Sequence, residues 1–251
     1  MAKLLAIILI VFLLLTPLLR DILYHYWYRP KNSTDPSYIN NINFRTGDLV
    51  LYTWRNHSLF DTNKVTPYKF SLYAYLREII PSLVNGQTTH IAVIIKLNNI
   101  PYVYDLNVDT DYMFNKNPDL LIPRYCNYLK KVVCLEPALL DINYLKYYGG
   151  HINILPYTGI DPTESDILKV LERNKVANLF VVDSIINKCI INKEHEWYKM
   201  SCSAFVAKVL SELNIIKFDN YYCTTPQSVR NKCVDYNKYD CSSNIFIDNG
   251  Y

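Results

Sequence analysis

Hydrophobic and polar positions along the chain change period from block to block. In "FRTGDLVLYTW", Gly47 and Asp48 mark a turn, and Leu49 to Thr53 read as a strand that leaves it. "TTHIAVIIKLNNIPYVYDLNV" holds two runs rich in Val, Ile and Tyr around Asn98 and Asn99, the pattern of a β-hairpin. "KKVVCLEP" and "GGHINILPY" give two further short strands, separated by the helix-like "LLDINYLKYY". Helical periods appear in "YKFSLYAYLREII", closed by Pro81, and in "DPTESDILKVLERNK", which starts with capping residues. A further helix starts near Cys202, where Phe205, Val206, Val209, Leu210 and Leu213 make one apolar stripe. Beyond "CTTPQSV" the Tyr-, Asn- and Cys-rich tail reads as irregular or short-strand structure. Together these elements predict one mixed α+β domain over 44–251, without an internal repeat.

Ahead of this domain the pattern is different. Leu4 to Leu19 is an uncharged run of 16 residues, followed by Arg20, Asp21 and the cluster Tyr24, Tyr26, Trp27 and Tyr28. A bilayer span needs roughly 17 to 25 residues, and a snorkelling Arg20 with interfacial aromatics extends this run to about Leu23. Large residues continue without an Ala-x-Ala cleavage pattern, so 1–28 reads as an uncleaved single-pass anchor and 29–43 as a polar linker. Arg20, Arg29 and Lys31 against Lys3 favour a cytoplasmic body, whereas the sequons at Asn32 and Asn56 favour the opposite side.

Composition narrows the function classes. Half of the 251 residues are hydrophobic and a fifth charged, which excludes a disordered chain. The net charge of +3 is spread over interleaved acids and bases, without the basic stripe that phosphates require, so nucleic acid is not an expected partner. Six Gly against 23 Tyr resembles the composition of proteins from AT-rich genomes, several large DNA viruses among them. The seven cysteines leave one over if the rest pair, and their spacing selects no pairing. No Cys-x-x-Cys pair or nearby His suggests zinc, so neither metal nor cofactor is expected.

Candidate chemistry lies in the hairpin and the Cys202 helix. With Asn98 and Asn99 central to a two-residue turn, Leu97 faces Ile100, Ala92 faces Asp105 and His90 faces Asn107. The period of two then puts His90, Ala92, Asp105 and Asn107 on one face, with Asp105 diagonal to His90. A base and its orienter thus fall together. Cys202 precedes Phe205 and Val206 by three and four residues, so its thiol faces the core side. It also sits in the first helical turn, where open backbone N–H groups favour thiolate over thiol. If this helix packs on the face that carries His90, sulfur, imidazole and carboxylate meet in one cleft. His25, His57, His151 and His195 have no comparable partners, and Tyr52 is a weaker candidate to line the cleft.

The order "GDLVLY", "THIAVII", "YVYDLN", "SCSAFV" and "TTPQSV" resembles the circularly permuted papain-like amidases. These are relatives of the NlpC/P60 and lecithin:retinol acyltransferase groups, with members in bacteria, poxviruses and other large DNA viruses. The likeness covers roughly 44–230 and rests on the ordered set, with the His strand ahead of the Cys helix. It implies an antiparallel sheet packed on the nucleophile helix, with Cys202 as nucleophile, His90 as general base and Asp105 as orienting acid. Many members carry Glu at the last position, and Asn107 is the alternative orienter here. The implied activity is that of a membrane-anchored thiol hydrolase or acyltransferase, cleaving an amide or ester of a lipid, peptide or small molecule through a thioester. If the chain is viral, its membrane is that of host or virion. The alternative from a different class is a structural or interaction protein of a membrane that leaves the thiol unused.

Overall fold

The computed structural model describes residues 35–54, 90–108, 134–146, 150–175, 177–179 and 199–248, with the isolated positions 11 and 88. Six strands form one antiparallel sheet: β1 (Leu49–Trp54), β2 (His90–Leu97), β3 (Ile100–Val108), β4 (Cys134–Asp141), β5 (Gly150–Leu155) and β8 (Ile245–Asp248), in the order β4-β3-β2-β1-β5-β8. A two-residue parallel ladder pairs β6 (Asn178–Leu179) with β7 (Lys199–Met200). Among the described residues three α-helices accompany them: α1 (Glu164–Asn174), α2 (Cys202–Glu212) and α3 (Pro226–Asp235). The fold class is therefore mixed α+β, built on one antiparallel sheet.

The hairpin forms as the sequence predicts. Asn98 and Asn99 both have positive φ, 49° and 64°, which a two-residue turn matched to the strand twist requires and Asn tolerates. Pairing starts at Leu97 with Ile100 and continues through Val93 with Tyr104. On the other side of β2, His90 pairs with Tyr52 and Val93 with Leu49 of β1.

Alternation along these strands builds two cores. Leu49, Leu51, Ile91, Val93, Tyr104 and Leu106 face the buried side of α2, where the Tyr104 and Phe205 rings meet edge to face at 4.9 Å between centroids. Val50, Tyr52, Ala92, Ile94, Val103 and Leu140 face the opposite way, covered by Ile39, Phe44, Tyr144 and Leu145. The sheet is thus buried on both faces, which explains why β2 reads as a continuous apolar run.

The "GD" turn is held on several sides. Asp48 is buried, and its carboxylate accepts N–H bonds from Arg45 at 2.8 Å and Tyr157 at 2.7 Å. Burial nevertheless dominates and raises Asp48 to about 6. Gly47 adopts φ of 102°, its carbonyl accepts the Tyr239 hydroxyl at 2.9 Å, and a Cβ there would stand 2.7 Å from Ile215 Cδ1. Only glycine fits both the backbone angle and the space.

Two expected elements differ. "LLDINYLKYY" is not an independent helix: Leu139, Leu140 and Asp141 complete β4, and only Ile142–Lys146 turns, as a short 3-10 segment. Burial of Leu139 and Leu140 on opposite faces of a paired strand outweighs their helical propensity. The tail after "CTTPQSV" contains a full helix, α3. Thr225 and Ser228 form a reciprocal capping box and Pro226 occupies the first turn, so its start signal was present in the sequence. Neither the expected helix "YKFSLYAYLREII" nor, apart from Val11, the expected membrane anchor lies within the described residues. Among the described residues no helix is long and apolar enough to cross a membrane.

Gly47→Ala is expected to lower the unfolding free energy by roughly 1 to 3 kcal/mol, since it combines left-handed strain with a steric clash. A urea titration that leaves the midpoint unchanged would contradict this account of the turn.

Candidate active site

β2 and β3 bring the base and acid together. His90 is the first residue of β2, Asp105 lies inside β3, and His90 Nε2 is 2.7 Å from Asp105 Oδ1. Both side chains are buried. A carboxylate only accepts, so Nε2 carries the hydrogen and Nδ1 is the nitrogen left to face another group. The Tyr52 ring, across the β1–β2 ladder, lies 5.2 Å from the imidazole, tilted by 38°, and helps enclose it. Tyr52 thus packs directly on the candidate base. Asp105 Oδ2 is buried without a hydrogen-bond partner among the described residues. The Asn107 side chain falls outside them, so Asp105 is the orienting group the structure provides.

Cys202 arrives by a different route from the one expected. The sheet face that carries His90 and Asp105 is the face of Tyr52, Ala92 and Val103, whereas α2 packs on the opposite face through Ile91, Val93 and Tyr104. Helix and base therefore do not share a sheet face. They meet because each candidate residue is the first of its element: His90 opens β2 and Cys202 opens α2. Ser201 caps α2, its Oγ accepting the Ala204 N–H at 3.2 Å, and Cys202 is half-buried at the helix start. Asp105 and Cys202 both hydrogen-bond the imidazole and act on it by charge, Asp105 the more strongly.

The electrostatics follow from these contacts. Burial by itself drives the imidazole toward its neutral form. The Asp105 charge outweighs this, aided by the Cys202 charge and by hydrogen bonding to both, and His90 is raised to about 10. Because the Cys202 charge contributes to that rise, the protonated imidazole is the state this geometry favours. Such a group can neutralise a developing anion and return a proton to a leaving group.

The other cysteines differ from Cys202. Cys233 is buried in the α2 core and pushed up to about 12 by that burial, Cys241 is free and exposed, and Cys223 is disulfide-bonded. Cys126 and Cys189 lie outside the described residues. His25, His57 and His195 also lie outside them, as does the His151 side chain. Among the described residues no group of three or more His, Cys, Asp or Glu side chains has metal-binding geometry.

Sequence inspection passed over two serines that the structure connects to this site. Ser203 Oγ donates to the Thr224 carbonyl at 2.7 Å and lies 3.1 Å from Ser201 Oγ, linking the start of α2 to the turn ahead of α3. The available signal was their position on either side of a cysteine at a helix start. No protein-family model matches the chain, and no curated protein sequence matches it.

The raised His90 sets a pH signature. Its folded pKa of about 10 exceeds the ordinary 6.5, so its stabilising contribution is complete below pH 6.5 and declines as pH rises through about 10. Unfolding free energies should show the advantage of wild type over Asp105→Asn greatest near pH 6. That gap should shrink toward pH 10, at no more than about 1.4 kcal/mol per pH unit, the slope of one proton. A gap independent of pH would mean that Asp105 does not hold the charge on His90.

Proposed function

We propose that this protein is a thiol-dependent hydrolase or acyltransferase of the permuted papain-like type, tethered to a membrane by residues 1–28 and acting on an amide or ester. The observation that carries this reading is the His90 imidazole, bonded at 2.7 Å to Asp105 and raised by both Asp105 and the helix-start Cys202. A structural histidine beside an aspartate needs no thiol as its third neighbour.

The reaction follows from the three groups. Cys202 thiolate attacks the carbonyl carbon, and the oxygen takes up negative charge near the backbone N–H of Cys202 at the start of α2. His90, protonated and held by Asp105, gives its proton to the departing nitrogen or oxygen as the bond to carbon breaks. A thioester on Cys202 remains. Neutral His90 then takes a proton from water, which attacks the thioester carbon, and the sulfur leaves as thiolate with the imidazolium restored. An alcohol or amine in place of that water gives acyl transfer by the same steps. The apolar run Leu4 to Leu19 favours a substrate reached from a membrane, a lipid ester or amide first among them.

Incubation of the full-length protein with an acyl-directed thiol probe should label Cys202. Cys202→Ala should abolish that label, and His90→Ala should slow it by roughly 100-fold or more at neutral pH. Labelling that survives Cys202→Ala unchanged would remove the nucleophile from this account. For the tether, full-length protein should stay with membranes through alkaline carbonate extraction, and protein lacking 4–28 should be released. Release of the full-length form would refute the anchor and leave the chemistry untouched.

A further inference from the structure

Two hydroxyls flank Cys202, and their hydrogen-bond directions follow from simple bookkeeping of protons. The Thr224 carbonyl can only accept, so the single Ser203 hydroxyl proton points to it across 2.7 Å. The 3.1 Å contact between Ser201 and Ser203 must then use the Ser201 proton, donated to Ser203 Oγ. Ser201 Oγ in turn accepts the Ala204 N–H at 3.2 Å. The result is a directed chain from the Ala204 amide through Ser201 and Ser203 to the Thr224 carbonyl, with Ser201, Ser203 and Thr224 all buried.

This chain does more than cap a helix. The Ser201 link alone satisfies an orphan amide of α2, which is the ordinary duty of an N-cap. The Ser203 link reaches outside the helix, to a residue whose own hydroxyl donates to the Tyr221 carbonyl at 2.7 Å and which precedes the capping box of α3. It therefore fixes the first turn of α2 against the 221–225 segment. Both neighbouring hydroxyl protons are committed away from the sulfur.

On the reading of Cys202 as the nucleophile, we infer that Ser203 is a positioning residue: its hydroxyl bond to Thr224 holds the first turn of α2 in the orientation that presents Cys202 to His90. Because α2 and His90 lie against opposite faces of the sheet and meet only at element starts, a small rotation of that turn displaces the sulfur. A displacement of about 1 Å at a reacting group can cost as much as 100-fold in rate.

The test is alkylation of the full-length protein with iodoacetamide, followed at the Cys202 peptide by mass spectrometry from pH 5 to 10. Ser203→Ala should slow labelling at neutral pH by roughly 10- to 100-fold and move its pH profile toward that of an isolated thiol. Ser203→Thr, which keeps the hydroxyl, should label as wild type does. Ser201→Ala should lower the melting temperature as a lost cap does, with a smaller effect on labelling. A folded Ser203→Ala that retains the wild-type rate and profile, or a folded Ser203→Thr as slow as the alanine variant, overturns the proposal. If Ser203→Ala does not fold, Ser203→Thr decides alone: a wild-type rate supports the role and a slow one refutes it. Wild-type Cys202 that labels no faster than in His90→Ala would instead refute the nucleophile itself.

Discussion

The register of the β2–β3 hairpin is the constraint on which the candidate site depends. Asn98 and Asn99 take left-handed angles, which closes a two-residue turn and fixes Leu97 opposite Ile100. Every pair outward from that turn is then determined, including the diagonal that joins His90 to Asp105. A slip of one residue would send Asp105 to the face of Tyr104 and Leu106, among the side chains packed on α2, and leave His90 without its acid. The slip is costly because both faces of this sheet are buried. Apolar residues such as Val103 and Tyr104 would exchange cores, and a carboxylate would be desolvated with no partner.

Burial then turns a hydrogen bond into a charge state. In water a histidine and an aspartate at 2.7 Å would influence each other modestly. Inside the sheet, with the Tyr52 ring alongside, the Asp105 charge acts through a less polar medium and overcomes the desolvation of the imidazolium. The sulfur adds to this from the end of another element. Two secondary-structure starts thereby supply what a single face does not: a strand start that positions nitrogen and a helix start that positions sulfur. The Ser201–Ser203–Thr224 chain and the capping box of α3 anchor backbone segments beside this arrangement.

Much of this was legible from local pattern. The strand after "GD", the Asn-Asn hairpin and the amphipathic α2 depend on turn chemistry and on side-chain period, and both are carried by adjacent residues. The helix expected in "LLDINYLKYY" failed for a nonlocal reason: Leu139 and Leu140 gain more from the two cores on either side of β4 than from a helix. Helix α3 was missed although its Thr225, Pro226 and Ser228 spell a start, because the Tyr-, Asn- and Cys-rich composition around them obscured a local signal.

Sequence by itself determined the candidate residues: a cysteine at a helix start, a histidine at a strand start, and an aspartate on the hairpin's second strand. It determined their relation within the hairpin as well, since that relation is set by one turn and a period of two. Only the tertiary structure decided how the thiol approaches the pair. The face on which α2 packs and the Ser203 bond to Thr224 join residues far apart in the chain, and packing between elements is set by the shape of both cores together. No local period encodes it.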